Sequence, residues 1–142
     1  MTTKASFQLT LVTPTKKIVE QAPLLEVFVP AFKGELEILP GHAPLVTTLS
    51  VGVLKYKLEG WTETRKVAIS WGYCEVTADG QVNILAETAE GAEDIDLKRA
   101  EASRADALTR LASVTYDEFE KYERKFKRAE ARINTVKSDA TH

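Results

Sequence analysis

The chain has 142 residues, 44% of them apolar and 28% charged, with a formal net charge of −2; this size and composition support one or two small domains. The slightly acidic balance and the absence of a recognised nucleic-acid motif argue against a nucleic-acid-binding protein. No run of about 18 apolar residues is present, and the first nine residues lack the apolar stretch of a signal peptide, so the sequence predicts neither a membrane span nor a secretory leader.

Residues 1–90 form a series of short alternating runs separated by turn signals. In each run apolar and polar residues alternate, which is the pattern of a strand with one buried face. The alternating apolar positions are Phe7, Leu9 and Leu11; Leu25, Val27 and Val29; Leu36 and Ile38; Leu54, Tyr56 and Leu58; and Val67 and Ile69. Asp79-Gly80 marks a two-residue hairpin turn. Many short strands at this spacing predict an N-terminal antiparallel β-sandwich or barrel.

A stiff, exposed loop is predicted within residues 34–57, between two of these strands. Pro40 and Pro44 fix φ at both ends of the loop, and Gly41 between them permits a sharp turn. A rigid loop loses little entropy on docking, so it suits a fixed contact with a partner. The alternative is a tight surface connection with no binding role.

Residues 91–142 contain no proline and are rich in alanine, leucine and charged residues, a composition that favours helix. One helix is predicted from about residue 95 to 112, with Asp94 or Asp96 as its N-terminal cap. A second helix is predicted from about residue 117 to 137. The chain is therefore expected to be an α+β protein, with a sandwich domain at 1–90 and a helical domain at 91–142.

Both predicted helices carry a narrow apolar stripe. The stripe positions are Leu97, Ala100, Leu108 and Leu111 in the first helix, and Phe119, Tyr122, Phe126, Ala129, Ile133 and Val136 in the second. The short connection between the helices makes them antiparallel neighbours, so a helical hairpin is predicted. A hairpin this thin is barely stable alone. It could therefore leave its own domain and bind another surface at modest cost.

The second helix is strongly basic over residues 124–137, where six basic residues stand against one acidic residue. Arg124, Arg128 and Arg132 are spaced four apart, so they share one side of the helix, named here the basic face. Such a face suits an acidic partner through salt-sensitive contacts. A simply solvated face is the alternative. If the face does bind a partner, one possible function is that of a free-standing β-sandwich adaptor whose helical hairpin binds one acidic protein.

The sequence offers little for catalysis. It contains no GxxxxGKS or GxGxxG phosphate-binding loop, no His/Cys cluster for a metal ion, and no plausible Cys–His pair. Its single cysteine, Cys74, excludes an internal disulfide, fits a reducing compartment and is expected in the sandwich core. We therefore expect a non-catalytic protein that requires no metal or cofactor.

GELEILPGHAPLVTTL, at residues 34–49, resembles the signature of the epsilon subunit of F-type ATP synthases, in which a GELGILPGHAPL-type segment is typical. Two departures occur. Glu37 stands where the family usually carries glycine, and Ser70-Trp71-Gly72 stands where Ser-Gly-Gly is usual. Because a tryptophan needs room on one face of the sheet, local packing or a subunit contact is expected to differ there.

The resemblance implies a rotor subunit of the central stalk that couples proton transport to ATP synthesis and inhibits ATP hydrolysis through its C-terminal helices. The implied partners are the gamma subunit, the c-subunit ring, and the alpha and beta subunits. A peripheral location on the cytoplasmic face of the inner membrane is implied, without direct insertion. Glu35, Pro40, Gly41 and His42 are then expected to contact the c ring, and the basic face to contact acidic surfaces of the alpha and beta subunits.

Residues 92–100, AEDIDLKRA, resemble the I/L-D-x-x-R-A motif that opens the helical domain of bacterial epsilon subunits. In some relatives this motif joins arginines of the second helix in an ATP site. The resemblance implies a regulatory ATP site formed by Asp96, Arg99, Ala100, Arg128 and Arg132. Asp106 stands where ATP-binding relatives carry a further arginine, so weaker binding is expected. The alternative is a helix-capping aspartate with surface arginines.

Overall fold

A computed structural model describes residues 7–137, so the outermost residues of both predicted domains lie outside the described range. The strands are Gln8–Val12 (β1), Lys17–Ala31 (β2), Gly34–Ile38 (β3), Leu45–Leu49 (β4), Gly52–Leu58 (β5), Arg65–Val76 (β6) and Gln81–Gly91 (β7). A 3₁₀ turn at Ala92–Asp94 leads into the helices Leu97–Leu111 (α1) and Tyr116–Val136 (α2). This order confirms the predicted fold, a β-sandwich followed by a two-helix hairpin. Within the described range, no helix has the length and hydropathy needed to cross a membrane.

The strands close on themselves through their hydrogen-bonded pairs. β1 pairs with both β2 and β7, and β5 pairs with both β2 and β6, so β1, β2, β5, β6 and β7 form a ring. β4 and β3 extend this arrangement, and β3 ends the strand order. Among the strands of residues 7–137, every pair is antiparallel except β1–β7, in which Gln8 lies beside Gln81 and both strands run the same way. The predicted antiparallel arrangement therefore has one exception, where the first and last strands meet.

The core lies inside the sandwich and is built from strand residues. The largest fully buried side chains in it are Leu9, Leu11, Ile38, Leu54, Ile69 and Ile84. Cys74 is fully buried in the same cluster, which confirms its predicted place. Within residues 7–137, no helical residue belongs to this cluster. Burial of large apolar side chains therefore stabilises the sandwich without help from the hairpin.

One predicted core position is wrong. Leu25 was expected to face inward with Val27, yet Leu25 is exposed and its neighbour Leu24 is buried. The pairing of β2 with β5 shifts register between Leu24 and Glu26. This bulge changes the inside–outside order of the strand at that point, which simple alternation cannot anticipate.

The segment after β3 contains a strand that the sequence pattern did not reveal. β4 lies between the proline-rich loop and β5, where only a loop was expected. Its inward side chains include a threonine, Thr47, beside Leu45 and Leu49, while Val46 points outward and is 73% exposed. The apolar alternation is therefore interrupted, and the strand is defined by its pairing with β6.

The predicted turn at Asp79-Gly80 joins β6 to β7 through three residues rather than two. The amide of Thr77 donates to the carbonyl of Gln81 at 2.9 Å, which leaves residues 78–80 as the loop. Gly80 has φ +90°, a left-handed conformation that glycine adopts without strain. The extra residue fits the three-residue hairpin class with a left-handed last position.

β6 changes partner in its middle. Residues 65–69 pair with β5, and residues 72–76 pair with β4. At the change, Trp71 has φ +32° and Gly72 has φ +156°. A Cβ atom on Gly72 would lie 1.9 Å from the carbonyl oxygen of Leu85, so only glycine fits there. The backbone at Trp71 is thus held in a conformation that L-residues rarely adopt.

α1 begins as predicted, but its apolar stripe is placed differently. Asp96 is the N-cap, and its Oδ1 accepts a hydrogen bond from the amide of Arg99 at 3.1 Å. Ala100 and Ala107 are buried, whereas Leu108, which was expected in the stripe, is exposed. Ala100 and Ala107 are two turns apart and share a face, while Leu108 lies roughly 100° further round the helix.

The two helices are joined by small residues and charged pairs. Ala129 and Ile133 of α2 are buried as predicted, while Phe119, near the tip of the hairpin, is 46% exposed. Arg104 donates to Glu130 at 3.0 Å, and Lys125 donates to Asp106 at 2.6 Å. Charged pairs therefore contribute to the contact between the two helices.

Candidate functional site

The hairpin docks on the sandwich through α2, which packs against β5, β6 and β7. Small side chains fill the contact. Ala131 of α2 and Ala68 and Ser70 of β6 are buried and line one narrow gap, and Thr135 is buried one turn after Ala131. The buried hydroxyl of Thr135 donates to the carbonyl of Ala131 at 2.8 Å, so it is satisfied within the helix. This contact is named here the docking surface.

Charged side chains fix the two ends of the docking surface. The ammonium of Lys66 on β6 donates to the carbonyls of Asn134 and Lys137, at 3.2 and 2.8 Å. A cation at this position complements the C-terminal end of the helix dipole. Arg132 Nε donates to Glu90 Oε1 at 2.6 Å, which ties α2 to β7.

The hinge between sandwich and hairpin is held by a further ion pair. Arg65 Nη2 lies 2.5 Å from Glu93 Oε2 in the 3₁₀ turn. The hydrogen bond from Arg65 holds the pKa of the Glu93 carboxyl below its usual value. A Cβ on Gly91 would lie 2.5 Å from Arg65 Nη2. Gly91, at which the chain leaves the sheet, therefore has no room for a side chain unless Arg65 moves.

The basic face is turned toward the sandwich. The guanidinium carbons of Arg124 and Arg128 lie 5.4 and 6.0 Å from the centroid of the Trp71 ring. Arg132 is paired with Glu90. All three arginines that were predicted to bind a partner thus contact residues of the chain's own sandwich. Their binding to another protein stays a prediction, and for Arg132 it requires release of the hydrogen bond to Glu90.

Four of the five residues predicted for an ATP site meet at the start of α1. Asp96, Arg99, Ala100 and Arg132 line one pocket of about 380 Å³. Arg128 lines other grooves and contacts Trp71 instead. The structure therefore brings the motif and one second-helix arginine together but separates the other arginine from them.

The charges in this pocket do not suit a polyphosphate as they stand. Three carboxylates, from Glu90, Asp94 and Asp96, line it beside Arg99 and Arg132. Since Glu90 already binds Arg132, a phosphate group would have to displace that carboxylate and approach two others. Asp106 lies outside the pocket lining and binds Lys125 of α2, so its carboxylate serves the helix–helix contact.

The residues predicted to contact a c ring lie at opposite ends of β3. Glu35 lies near the start of the strand, where its carboxylate is 3.3 Å from Lys55 Nζ. Pro40, Gly41 and His42 follow the end of the strand, roughly 16 Å away along it at about 3.3 Å per residue. The loop is ordered by local bonds, because the amide of His42 donates to the carbonyl of Leu39 at 3.0 Å.

Sequence reasoning missed three residues of the docking surface. Trp71 was expected to change local packing or a subunit contact, but its contacts with α2 were not foreseen. Glu90 and Lys66 gave no signal, since single charged residues on strands are ordinary. The arginine spacing on α2 correctly indicated a shared face, but spacing within a helix cannot show what that face contacts.

Two protein-family patterns together match nearly the whole chain. The pattern for the β-sandwich domain of the ATP synthase delta/epsilon chain matches residues 6–92. The pattern for the long α-helix domain of the same chain matches residues 93–137. These two segments correspond to the sandwich and the hairpin.

Individual relatives agree with these patterns. The ATP synthase epsilon chain of Bdellovibrio bacteriovorus is 44% identical over 133 residues, which cover 92% of this chain and 94% of the relative. That of Citrifermentans bemidjiense is 40% identical over 128 residues, covering 89% and 90%. A chain in the mitochondrial ATP synthase of Euglena gracilis, in an assembly of OSCP, F1 and c-ring, superimposes with a TM-score of 0.84 at 25% identity, covering 94% of this chain and 83% of that one.

Proposed function

The chain belongs to the ATP synthase delta/epsilon family, and we propose that it acts in the central stalk as an epsilon-type subunit with two roles. The sandwich couples rotation of the c ring to ATP synthesis, driven by proton transport, and the hairpin inhibits ATP hydrolysis. The partners are the gamma subunit, the c ring, and the alpha and beta subunits. The similar Euglena chain comes from an assembly of F1 and c-ring, which supports this placement. Family membership favours such a subunit over a free-standing adaptor.

In this role the chain is a non-catalytic subunit, because ATP synthesis and hydrolysis take place on other chains of the complex. We place it at the cytoplasmic face of the inner membrane, where its partners hold it peripherally. Loss of the chain would then change the rate and coupling of the whole complex. The purified chain alone would turn over no ATP.

The observation that carries the regulatory role is the position of the basic face. Arg132 Nε cannot keep its hydrogen bond with Glu90 and also bind an acidic surface of another subunit, and Arg124 and Arg128 contact Trp71 in the docked hairpin. Docked and partner-bound states of α2 therefore exclude each other, and any ligand that prefers one state shifts the balance between them. The docked hairpin is the permissive state, and the released hairpin is the inhibitory state.

Truncation after Gly91 tests this role directly. Gly91 still pairs with Val67, so the truncation keeps β7 whole. Complexes assembled with the truncated chain should retain the gamma subunit and ATP synthesis, and should hydrolyse ATP faster than complexes with the full chain. A full-length chain with Arg124, Arg128 and Arg132 all changed to Glu, checked for helix content, should show the same gain. Unchanged hydrolysis in both complexes would refute the inhibitory role.

The contact with the c ring can be tested by cross-linking. Because β3 ends the strand order, Glu35 and His42 can both touch the ring only if this edge strand lies along it. Single cysteines at positions 35 and 42 should each cross-link to a cysteine in the polar loop of the c subunit. The matched control is a cysteine at Val46, which is exposed on β4. Cross-links from 35 and 42 only to alpha or beta chains would contradict the assignment.

We propose that ATP, if it acts as a regulatory ligand, binds weakly in the pocket at the start of α1. Binding there would favour the docked hairpin, since the pocket is shared by α1 and α2. Glu90→Gln removes the competing carboxylate and should strengthen ATP binding in isothermal titration. The double variant Arg99→Ala with Arg132→Ala should abolish the heat. Binding that survives the double change would mean that the nucleotide binds elsewhere. If no variant releases or absorbs heat at millimolar ATP, ATP does not bind and Asp96 serves only as the N-cap of α1.

A further inference from the structure

We propose that Trp71 is an intramolecular latch, which holds α2 on the sandwich by binding Arg124 and Arg128 and so sets how often the basic face is released. The latch itself is a property of the isolated chain. Its effect on ATP hydrolysis rests on the regulatory function proposed above. The two parts are therefore tested by separate measurements.

The geometry supports a binding role for the indole. Two guanidinium groups from successive turns of α2 lie over one ring, at 5.4 and 6.0 Å from its centroid. Tryptophan is the most effective ring for such cation–π contacts, and the planar guanidinium group can also stack on it. Trp71 is half-buried, in an open groove of about 700 Å³ that Tyr73 and Leu85 also line. The ring therefore faces α2 rather than the sandwich core.

The backbone conformation at Trp71 also supports the proposed latch. Its φ of +32° lies in the left-handed region, which is unfavourable for a tryptophan and easy for a glycine. Trp71 is absent from the main core cluster, so large apolar burial within the sandwich does not account for keeping it there. Its contacts with Arg124 and Arg128 offer an explanation, because they stabilise the docked hairpin rather than the sheet.

This arrangement gives opposite expectations for the two parts of the molecule. Trp71→Gly relieves the backbone strain at position 71 of β6. The rate at which the sandwich opens should therefore stay the same or fall. The same change removes both cation–π contacts, while Arg132–Glu90 and the Lys66 bonds remain. Loss of these two partly exposed cation–π contacts should raise the population of released α2 about tenfold. A tryptophan that merely filled space in the sheet would shift both parts together.

Amide hydrogen exchange of the isolated full-length chain tests the latch. In Trp71→Gly, the exchange of residues 124–135 should rise about tenfold, while peptides from the sandwich core keep their protection. Arg124→Lys with Arg128→Lys, which keeps both charges but loses the planar groups, should give a smaller rise. Lys121→Gln with Lys127→Gln, on exposed positions of the same helix, removes two charges as a control and should change little.

Two results would overturn the latch. One is unchanged exchange of α2 in Trp71→Gly, and the other is a parallel acceleration in the sandwich. Should Trp71→Gly fold poorly, Trp71→Leu keeps an apolar side chain without an aromatic ring and should still release α2. In assembled complexes, Trp71→Gly leaves the basic face intact and should deepen inhibition of ATP hydrolysis. Faster exchange with unchanged hydrolysis would keep the latch and contradict the proposed regulatory function.

Discussion

The sandwich core and the docking surface are built from different kinds of side chain. The core packs leucine, isoleucine and valine from all seven strands into one cluster. The docking surface joins α2 to β6 through Ala131, Thr135, Ala68 and Ser70, with charged groups at its edges. Since burial energy grows with apolar area, the first region is expected to be stable and the second easily released. A regulatory arm needs this difference, because it must detach while its support stays folded.

The largest effect is expected from a change in the core. Leu54 is fully buried at the centre of β5, so Leu54→Ala should lower the free energy of unfolding by about 2–5 kcal/mol. Val46→Ala, at an exposed position of β4, is the control and should change it by less than about 0.5 kcal/mol. Urea unfolding followed by near-UV circular dichroism measures both. Similar small losses in the two variants would contradict the assigned core.

Cys74 offers a chemical readout of the same region. Burial, followed by the nearby Glu75 carboxylate, raises the pKa of its thiol to about 12 from 9.0. The thiol therefore stays protonated and unreactive at neutral pH while the sandwich is closed. Leu54→Ala should accelerate its labelling by a thiol reagent, whereas Trp71→Gly should not. Because the folded pKa is raised, sandwich stability should also decline as the pH rises above about 9.

Removal of the whole hairpin should affect the sandwich less than the loss of one leucine side chain. Truncation after Gly91 uncovers the parts of β5 and β6 beneath α2 and releases the Glu90, Lys66 and Arg65 contacts. We expect the free energy of unfolding of the sandwich to fall by roughly 1 kcal/mol. Urea unfolding of the truncated chain, beside the full chain, gives the value. A truncated chain that fails to fold would show that the hairpin is part of the core.

Single contacts of the docking surface should matter less again. The Arg132–Glu90 pair is about one-third exposed on both sides, so Glu90→Gln should weaken docking by about 0.2–1 kcal/mol. The exchange rate of α2 amides reports this change. Glu59→Gln, at an exposed position that makes none of the docking contacts described above, is the control. Equal exchange in the two variants would mean that the pair contributes nothing to docking.

The smallest effect is expected from acid. The hydrogen bond from Lys125 and the charge of Lys125, and then the charge of Arg110, keep the pKa of the Asp106 carboxyl below its ordinary value of 3.8. A depressed pKa adds stability above the ordinary value, and this contribution is lost as the pH falls through the folded-state pKa. Contact between α1 and α2 should therefore loosen below about pH 4. Asp106→Asn should remove this part of the pH dependence of helix content, and Glu101→Gln should preserve it.

The fold was predictable where a local pattern directly reflects burial. Alternation located most strands, and the Asp96 cap located the start of α1. The pattern failed at Leu25, because a bulge depends on the partner strand, and at Leu108, because a small alanine beside it fits the helix contact better. β4 was missed since its inward positions include a threonine.

The candidate site was predictable only in part, because its contacts join residues far apart in the chain. The spacing of Arg124 and Arg128 showed that they share a face, but their contact with Trp71 depends on how α2 lies across β6. The motif at Asp96 and Arg99 was placed correctly at the start of a helix. The carboxylate of Glu90, which changes the charge of that pocket, precedes the motif and belongs to a strand, so the motif pattern did not include it.

The parallel pairing of β1 with β7 imposes an order on folding. Gln8 finds its place beside Gln81 only after nearly all of the sandwich sequence is available, and such distant pairings form slowly because a long loop must close first. The helices need only near neighbours and can form within microseconds. During synthesis, however, they follow β7. Closure of the ring of strands can therefore begin while the hairpin is still being synthesised, and α2 docks last, on a surface that the strands provide.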